Sequence, residues 1–288
     1  MNKRILTTMR KIRYALVACF VVMFFIGAKQ TYADQMTIRE GTLMVENKVF
    51  VYDKRLINTE MYDGNGGKVT YDMDTNTLTL ENYHAKMVGP NKDIIFAYVM
   101  SYDKPLRVIL KGRNELNVEP EKRKEQYIIR LTDTDTFLEG SGELRGNTGI
   151  LTSGDLTIRD CDIRIEGADS GIYASKSVIL DNADVYLTTE EPLYTSGPLC
   201  LITYNGKAGK LSLTHSNLYT EAKSGNFQST LLAMDIPPEY DDSNLPADYM
   251  DDNKKHFFIS EDTSVTDKNG NALNLCAYQW AYIAWFVF

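Results

Sequence analysis

Apolar and polar residues alternate along most of this chain in runs of a few residues, a period of two that builds strands and not helices. The pattern is clearest where one phrase occurs twice. The run from Gly149 to Glu166 is echoed by the run from Gly171 to Thr188, at an offset of 22 residues without a gap. Leu156 and Ile158 answer to Val178 and Leu180, Ile163 answers to Val185, and Thr157 and Ile179 face the other way. Between these strands stand Asp160, Cys161 and Asp162 in one copy and Asn182, Ala183 and Asp184 in the other, a setting where Asp and Asn tolerate left-handed backbone. A third short strand follows Gly149 or Gly171. Three strands with turns in about 22 residues make one rung of a solenoid, in which each strand pairs with its equivalent about 4.8 Å away.

The same register returns outside the central pair. Leu80, Leu110, Leu138, Ile158, Leu180 and Leu213 read as one column, with the longer intervals carrying loops. The predicted fold is all-β, a right-handed parallel β-helix. Residues 34–68 read as an N-terminal cap built on a hairpin that turns at Glu46 and Asn47, because a first rung must be covered to hide its open edge. Residues 69–234 read as rungs. Residues 235–256 form an acidic, proline-bearing loop, and residues 257–288 read as C-terminal strands and cap ending in an apolar stretch.

The amino terminus changes the picture next. Lys3, Arg4, Arg10, Lys11 and Arg13 precede an apolar run from Ala15 to Ala28, and Thr31 to Ala33 supply small residues where a leader is cut. Residues 1–33 therefore read as a signal peptide cleaved after Ala33, with membrane contact only through that segment if it stays uncut. Cys19 sits at the start of the apolar run and reads as an ordinary small residue. Cys161, Cys200 and Cys276 suggest neither a disulfide framework nor a zinc site. A net charge of -8 over 288 residues argues against nucleic acid as a partner.

Stacking turns repeat equivalents into columns, and the columns hold the candidate chemistry. One outward column reads Leu151, Tyr173 and Tyr194, and another reads Arg164, Tyr186 and Tyr219. Tyrosines spaced by a rung offer apolar faces and hydroxyls to sugar rings. They also stabilise a strand ladder that has no ligand. A third column takes Asn114, Gly142, Asp162, Asp184 and Asn217, flanked by Asp160 and Arg164. Carboxylates on adjacent rungs would lie about 5 Å apart, so Asp160, Asp162 and Asp184 could share calcium while Arg164 stabilises or removes a proton, as in a polysaccharide lyase. Turn chemistry explains the same column, since every member is Gly, Asn or Asp. His84, His215 and His256 are scattered, and no hydrolase phrase stands beside them.

The run from Gly67 to Tyr83, followed by the repeated phrase after Gly149, resembles secreted β-helix proteins of Gram-positive anaerobes that carry the label of carbohydrate-binding domain, with a pectin-lyase-like fold. The resemblance covers roughly residues 41–224 and implies a secreted or cell-surface location and contact with glycan. It brings no catalytic set. The expectation is an exported, non-enzymatic protein that binds polysaccharide or another surface ligand and needs no cofactor. The alternatives are a calcium-dependent lyase using the aspartates and a structural or adhesive spacer.

Overall fold

The structure is a computed structural model that describes residues 39–87, 93–100, 104–119, 127–167, 170–190, 198–204, 210–222, 231–236, 256–259 and 264–266. The chain divides into Met1–Ile38 and Arg39–Phe288, and every described residue belongs to the second unit. The leader with its cut after Ala33, Tyr194, the acidic stretch 237–255 and the apolar end from Leu275 onward lie outside the described residues.

Short alternating runs have one apolar edge each, and here all of those edges turn toward a common core. The first five strands pair antiparallel: β1 (Thr42–Val45), β2 (Lys48–Tyr52), β3 (Arg55–Leu56), β4 (Glu60–Tyr62) and β5 (Lys68–Asp72). The cap joins the coil by antiparallel pairs as well, β5 with β6 (Thr77–Glu81) and β1 with the strand Ile95–Tyr98, and β6 is the first strand to gain a parallel neighbour. From there the chain cycles through three sheets, here called B, C and A.

The first rung is β6, β7 (His84–Met87) and β8 (Ile95–Tyr98), and the second is β9 (Leu106–Lys111), β10 (Arg113–Val118) and β11 (Ile129–Thr132). The third is β12 (Thr136–Glu139), β13 (Glu143–Gly146) and β14 (Ile150–Thr152). The fourth is β15 (Leu156–Arg159), β16 (Asp162–Gly167) and β17 (Ile172–Ala174), and the fifth is β18 (Val178–Asp181), β19 (Asp184–Thr189) and β20 (Leu199–Tyr204). The sixth is β21 (Lys210–Thr214), β22 (Asn217–Ala222) and β23 (Leu231–Ile236). Finally β24 (His256–Ile259) and β25 (Ser264–Thr266) extend sheets B and C in parallel. Among the described residues the result is three largely parallel sheets of nine, seven and nine strands, a β-helix-like solenoid.

Two sequence expectations change. The array does not stop at residue 234: β23 belongs to the sixth rung, and β24 and β25 begin a seventh, so the acidic stretch is inserted between two strands of the coil. The sheet B column is Leu78, Val108, Leu138, Ile158, Leu180 and Leu213, which moves Leu80 and Leu110 one inward position further along. All of these residues are buried. The shift arises because β9 has a third inward position at Leu110, where the next rung has already turned at Gly140 with φ 115°.

Inward columns fill the core. Ile95, Ile129, Ile150, Ile172 and Leu199 line sheet A, and Leu144, Ile163, Val185 and Leu218 line sheet C, each buried. Each such side chain contributes roughly 1.5–3 kcal/mol by leaving water. Between sheets B and C every complete rung turns on one left-handed residue: Asn82, Gly112, Gly140, Asp160, Asn182 and His215 all have positive φ. That backbone costs an L side chain roughly 1–2 kcal/mol, and Asn, Asp and Gly are the residues that bear it best. At the first rung the buried Tyr83 ties the cap to the coil, donating its hydroxyl to Glu46 Oε1 at 2.7 Å.

Candidate functional site

The corner between sheets B and C sets what appears on the outward face of sheet C. In the fourth, fifth and sixth rungs the left-handed residue is followed by one buried residue, Cys161, Ala183 or Ser216, before the strand begins. Equal corners give equal register. Arg164 therefore stands beside Tyr186, and Tyr186 beside Tyr219, as the sequence spacing predicts.

The two tyrosine rings stack with centroids 4.4 Å apart and planes 4° from parallel. The Arg164 guanidinium lies over the Tyr186 ring, 4.4 Å from its centroid. Because Arg164 and Tyr219 occupy the rungs on either side, both faces of Tyr186 are in use. That leaves the edge and hydroxyl of the ring, and not its faces, for any further contact. Polar heads finish the column on its far side: Arg164 Nε donates to Glu166 Oε1 at 2.9 Å, and the Tyr219 hydroxyl donates to Glu221 Oε2 at 3.0 Å. Burial, and after it the Glu221 carboxylate, pushes the Tyr219 hydroxyl above the ordinary tyrosine range.

Toward the amino terminus this column continues through Arg145 and Glu115 to His84. Arg145 escaped the sequence reading because its corner, from Gly140 to Gly142, holds one residue more than the next. Two arginines followed by two tyrosines at one register position were the signal that could have found it.

The aspartate column needs correction. Its members are Arg113, Glu143, Asp162, Asp184 and Asn217, so Asn114 and Gly142 are not in it. Asn114 instead pairs with Leu144 and faces inward, fully buried. The corner of its rung is the shortest, passing from Gly112 straight into β10. The Asn114 side chain takes the place of the missing backbone, accepting from the Tyr83 N–H at 2.9 Å and donating to the carbonyls of Lys111, Gly112 and Glu143 at 3.3, 3.4 and 3.3 Å.

Asp162 and Asp184 are neighbours in register. Asp184 Oδ1 accepts from Asn217 Nδ2 at 2.7 Å, and at the corner Asp160 Oδ1 accepts from Asn182 Nδ2 at 2.7 Å. Glu143 is held by Arg145, whose Nε donates to it at 2.6 Å. Burial, followed by the charges of Asp184 and Glu143, raises the proton affinity of Asp162. Among the described residues no three His, Cys, Asp or Glu side chains converge as a metal site.

Tyr173 belongs to sheet A, between Leu151 and Cys200, so it lies on a different sheet from the Arg164 column. Cys200 stands where the sequence reading put Tyr194, because the link from β19 to β20 is longer than the link from β16 to β17. Cys161 and Cys200 are buried free thiols, and burial pushes both up to about 12. His215 holds its left-handed corner at φ 48°. His84 Nδ1 lies 3.5 Å from the carboxylate of Asp63, which also accepts the backbone N–H groups of Asn65, Gly67 and His84 and so fastens the cap loop to the first rung. Set against known proteins, the chain matches no protein-family model, no curated protein sequence and no solved structure.

Proposed function

We propose that this is an exported protein of the bacterial cell surface or its surroundings, a right-handed parallel β-helix that binds polysaccharide through the outward face of sheet C and carries out no reaction on it. The observation that carries the reading is the Arg164, Tyr186 and Tyr219 column, a rigid strip of stacked groups whose hydroxyls and edges lie between two columns of hydrogen-bonding side chains. Rungs repeat at about 4.8 Å, close to the length of one sugar ring in an extended glycan. Successive sugars can therefore meet successive rungs, and weak contacts add along the chain. Stacked rings also lose little side-chain freedom on binding, because the ladder has already ordered them. The asparagine bonds to Asp160 and Asp184 support a corner and ladder role for those carboxylates over a calcium role.

A glycan array probed with residues 34–288, with calcium and again with a chelator, tests this. Specific binding that survives chelation and weakens about tenfold in Tyr186→Ala is the expected result. Binding to no glycan in either condition sinks the reading and leaves a structural spacer. Binding that needs calcium, or an unsaturated product absorbing in the near ultraviolet, replaces it with the lyase.

A further inference from the structure

The charge around the ring column selects among polysaccharides. From the third to the sixth rung the outward positions of sheet C carry five carboxylates, Glu143, Asp162, Asp184, Glu166 and Glu221, against the guanidiniums of Arg145 and Arg164. Each guanidinium is already matched, Arg145 with Glu143 at 2.6 Å and Arg164 with Glu166 at 2.9 Å. The three carboxylates left over flank the two tyrosines: Asp162 and Asp184 on one side and Glu221 on the other. The side-chain partners of Asp184 and Glu221 are neutral, the Asn217 amide and the Tyr219 hydroxyl.

Building on the proposed reading of the ring column as a glycan-binding strip, we infer that its ligand is a polysaccharide bearing free amines and that polyuronates and sulfated glycans are turned away. An ammonium group lying against the tyrosine column meets carboxylates from both flanking columns and competes with no unmatched arginine. A uronate chain in the same place brings negative charge to a net negative face and meets only arginines that already hold carboxylates, so repulsion decides against it. Burial is the first cause of the raised proton affinity of Asp162, and the charges of Asp184 and Glu143, which come after it, act in the sense that also favours a cation here. This also separates the protein from enzymes that act on pectate, whose substrate is a polyanion.

The test compares three probes by titration calorimetry on the mature chain at about pH 5.5, above the ordinary carboxylate range and below that of amines: a glucosamine hexamer, its fully N-acetylated counterpart and an oligogalacturonate of equal length. The glucosamine hexamer should bind about tenfold more tightly than the N-acetylated one, and raising the salt should erase most of that preference. In the double variant Asp162→Asn, Asp184→Asn the preference should fall to about threefold or less. Asparagine already fills this column at Asn217, so the variant keeps the ladder, and an unchanged circular dichroism spectrum checks that it does. Oligogalacturonate binding as well as the amine, or an amine preference untouched by the double variant, overturns the inference and leaves the glycan-binding reading standing. Failure of all three probes on a folded protein overturns the inference, and the glycan array then decides whether the glycan-binding reading stands.

Discussion

Asn114 shows how one side chain can stand in for a stretch of backbone. Its register partners in later rungs are Leu144, Ile163, Val185 and Leu218, so hydrophobicity alone would favour leucine there. Truncation to alanine takes the acceptor from the Tyr83 N–H in a dry corner, while the carbonyls of Lys111 and Gly112 keep the backbone N–H groups of Asn82 and Glu143, and we expect Asn114→Ala to lower stability by about 1–3 kcal/mol. Leucine should not rescue it, since it restores apolar volume and none of the hydrogen bonds. Urea midpoints of the two variants check this, and a stable leucine variant would show that the corner closes without the amide. Asp162 makes the opposite case. Its folded pKa lies above the unfolded value, so its stabilising contribution is present below the ordinary carboxylate value and is lost as pH rises through the folded one. At pH 7 the ionised group is therefore a cost, kept to about 0.5 kcal/mol or less because solvent screens it. Asp162→Asn should raise the melting temperature slightly at neutral pH, and the gain should vanish at about pH 3. A gain that persists in acid would assign the effect to packing.

At the scale of the element, the corner between sheets B and C governs what each rung presents. His215 sits in a slot held by Asn82, Asp160 and Asn182 in other rungs, all left-handed. His215→Asn should leave stability within about 0.5 kcal/mol, whereas His215→Val should cost about 1–2 kcal/mol, since a branched side chain bears that backbone poorly. Equal losses for both would mean that the imidazole contacts, and not the φ, set the cost. The strands and their stacking were legible because two rungs repeat at one interval and their corners spell Asp-x-Asp and Asn-x-Asp. What could not be read was every place where a link changes length. A corner shorter by one residue turned Asn114 from the outward face to the core, and a longer one hid Glu143 and Arg145. A longer link between β19 and β20 put Cys200 in register with Tyr173, and a long acidic insertion concealed that β24 and β25 continue the coil. Period-two patterning marks which residues point inward within a strand, but it carries no count across a loop. Stacking of Tyr186 on Tyr219 was foreseeable from register, whereas the capping of the second ring face by Arg164 depends on side-chain direction, which spacing does not supply.

For the whole molecule, the consequence of a solenoid is that a rung is removable. Leu156 pairs with Val178, Asp162 with Asp184 and Ile150 with Ile172, an offset of 22 residues in all three sheets. Deleting 156–177 joins Asp155 to Val178 and leaves each surviving strand with an equivalent neighbour. The fourth rung leaves with Arg164, but Arg145 then stands beside Tyr186 and Glu143 beside Asp184, so the charged and aromatic strip re-forms one rung shorter. We expect the shortened chain to unfold cooperatively, with a urea m-value lower by roughly a tenth, because less surface is exposed when fewer rungs unravel. It should also keep its glycan affinity within a few-fold. Deleting 157–179 instead, one residue more and inside a strand, sets Leu180 directly after Leu156 and turns the inward column of β18 toward water, which should abolish cooperative folding. If both deletions fold equally well, strand register is not what holds the array together. If the first folds and loses its ligand, Asp162 and Arg164 carry recognition by themselves, and the strip does not act as a repeating surface.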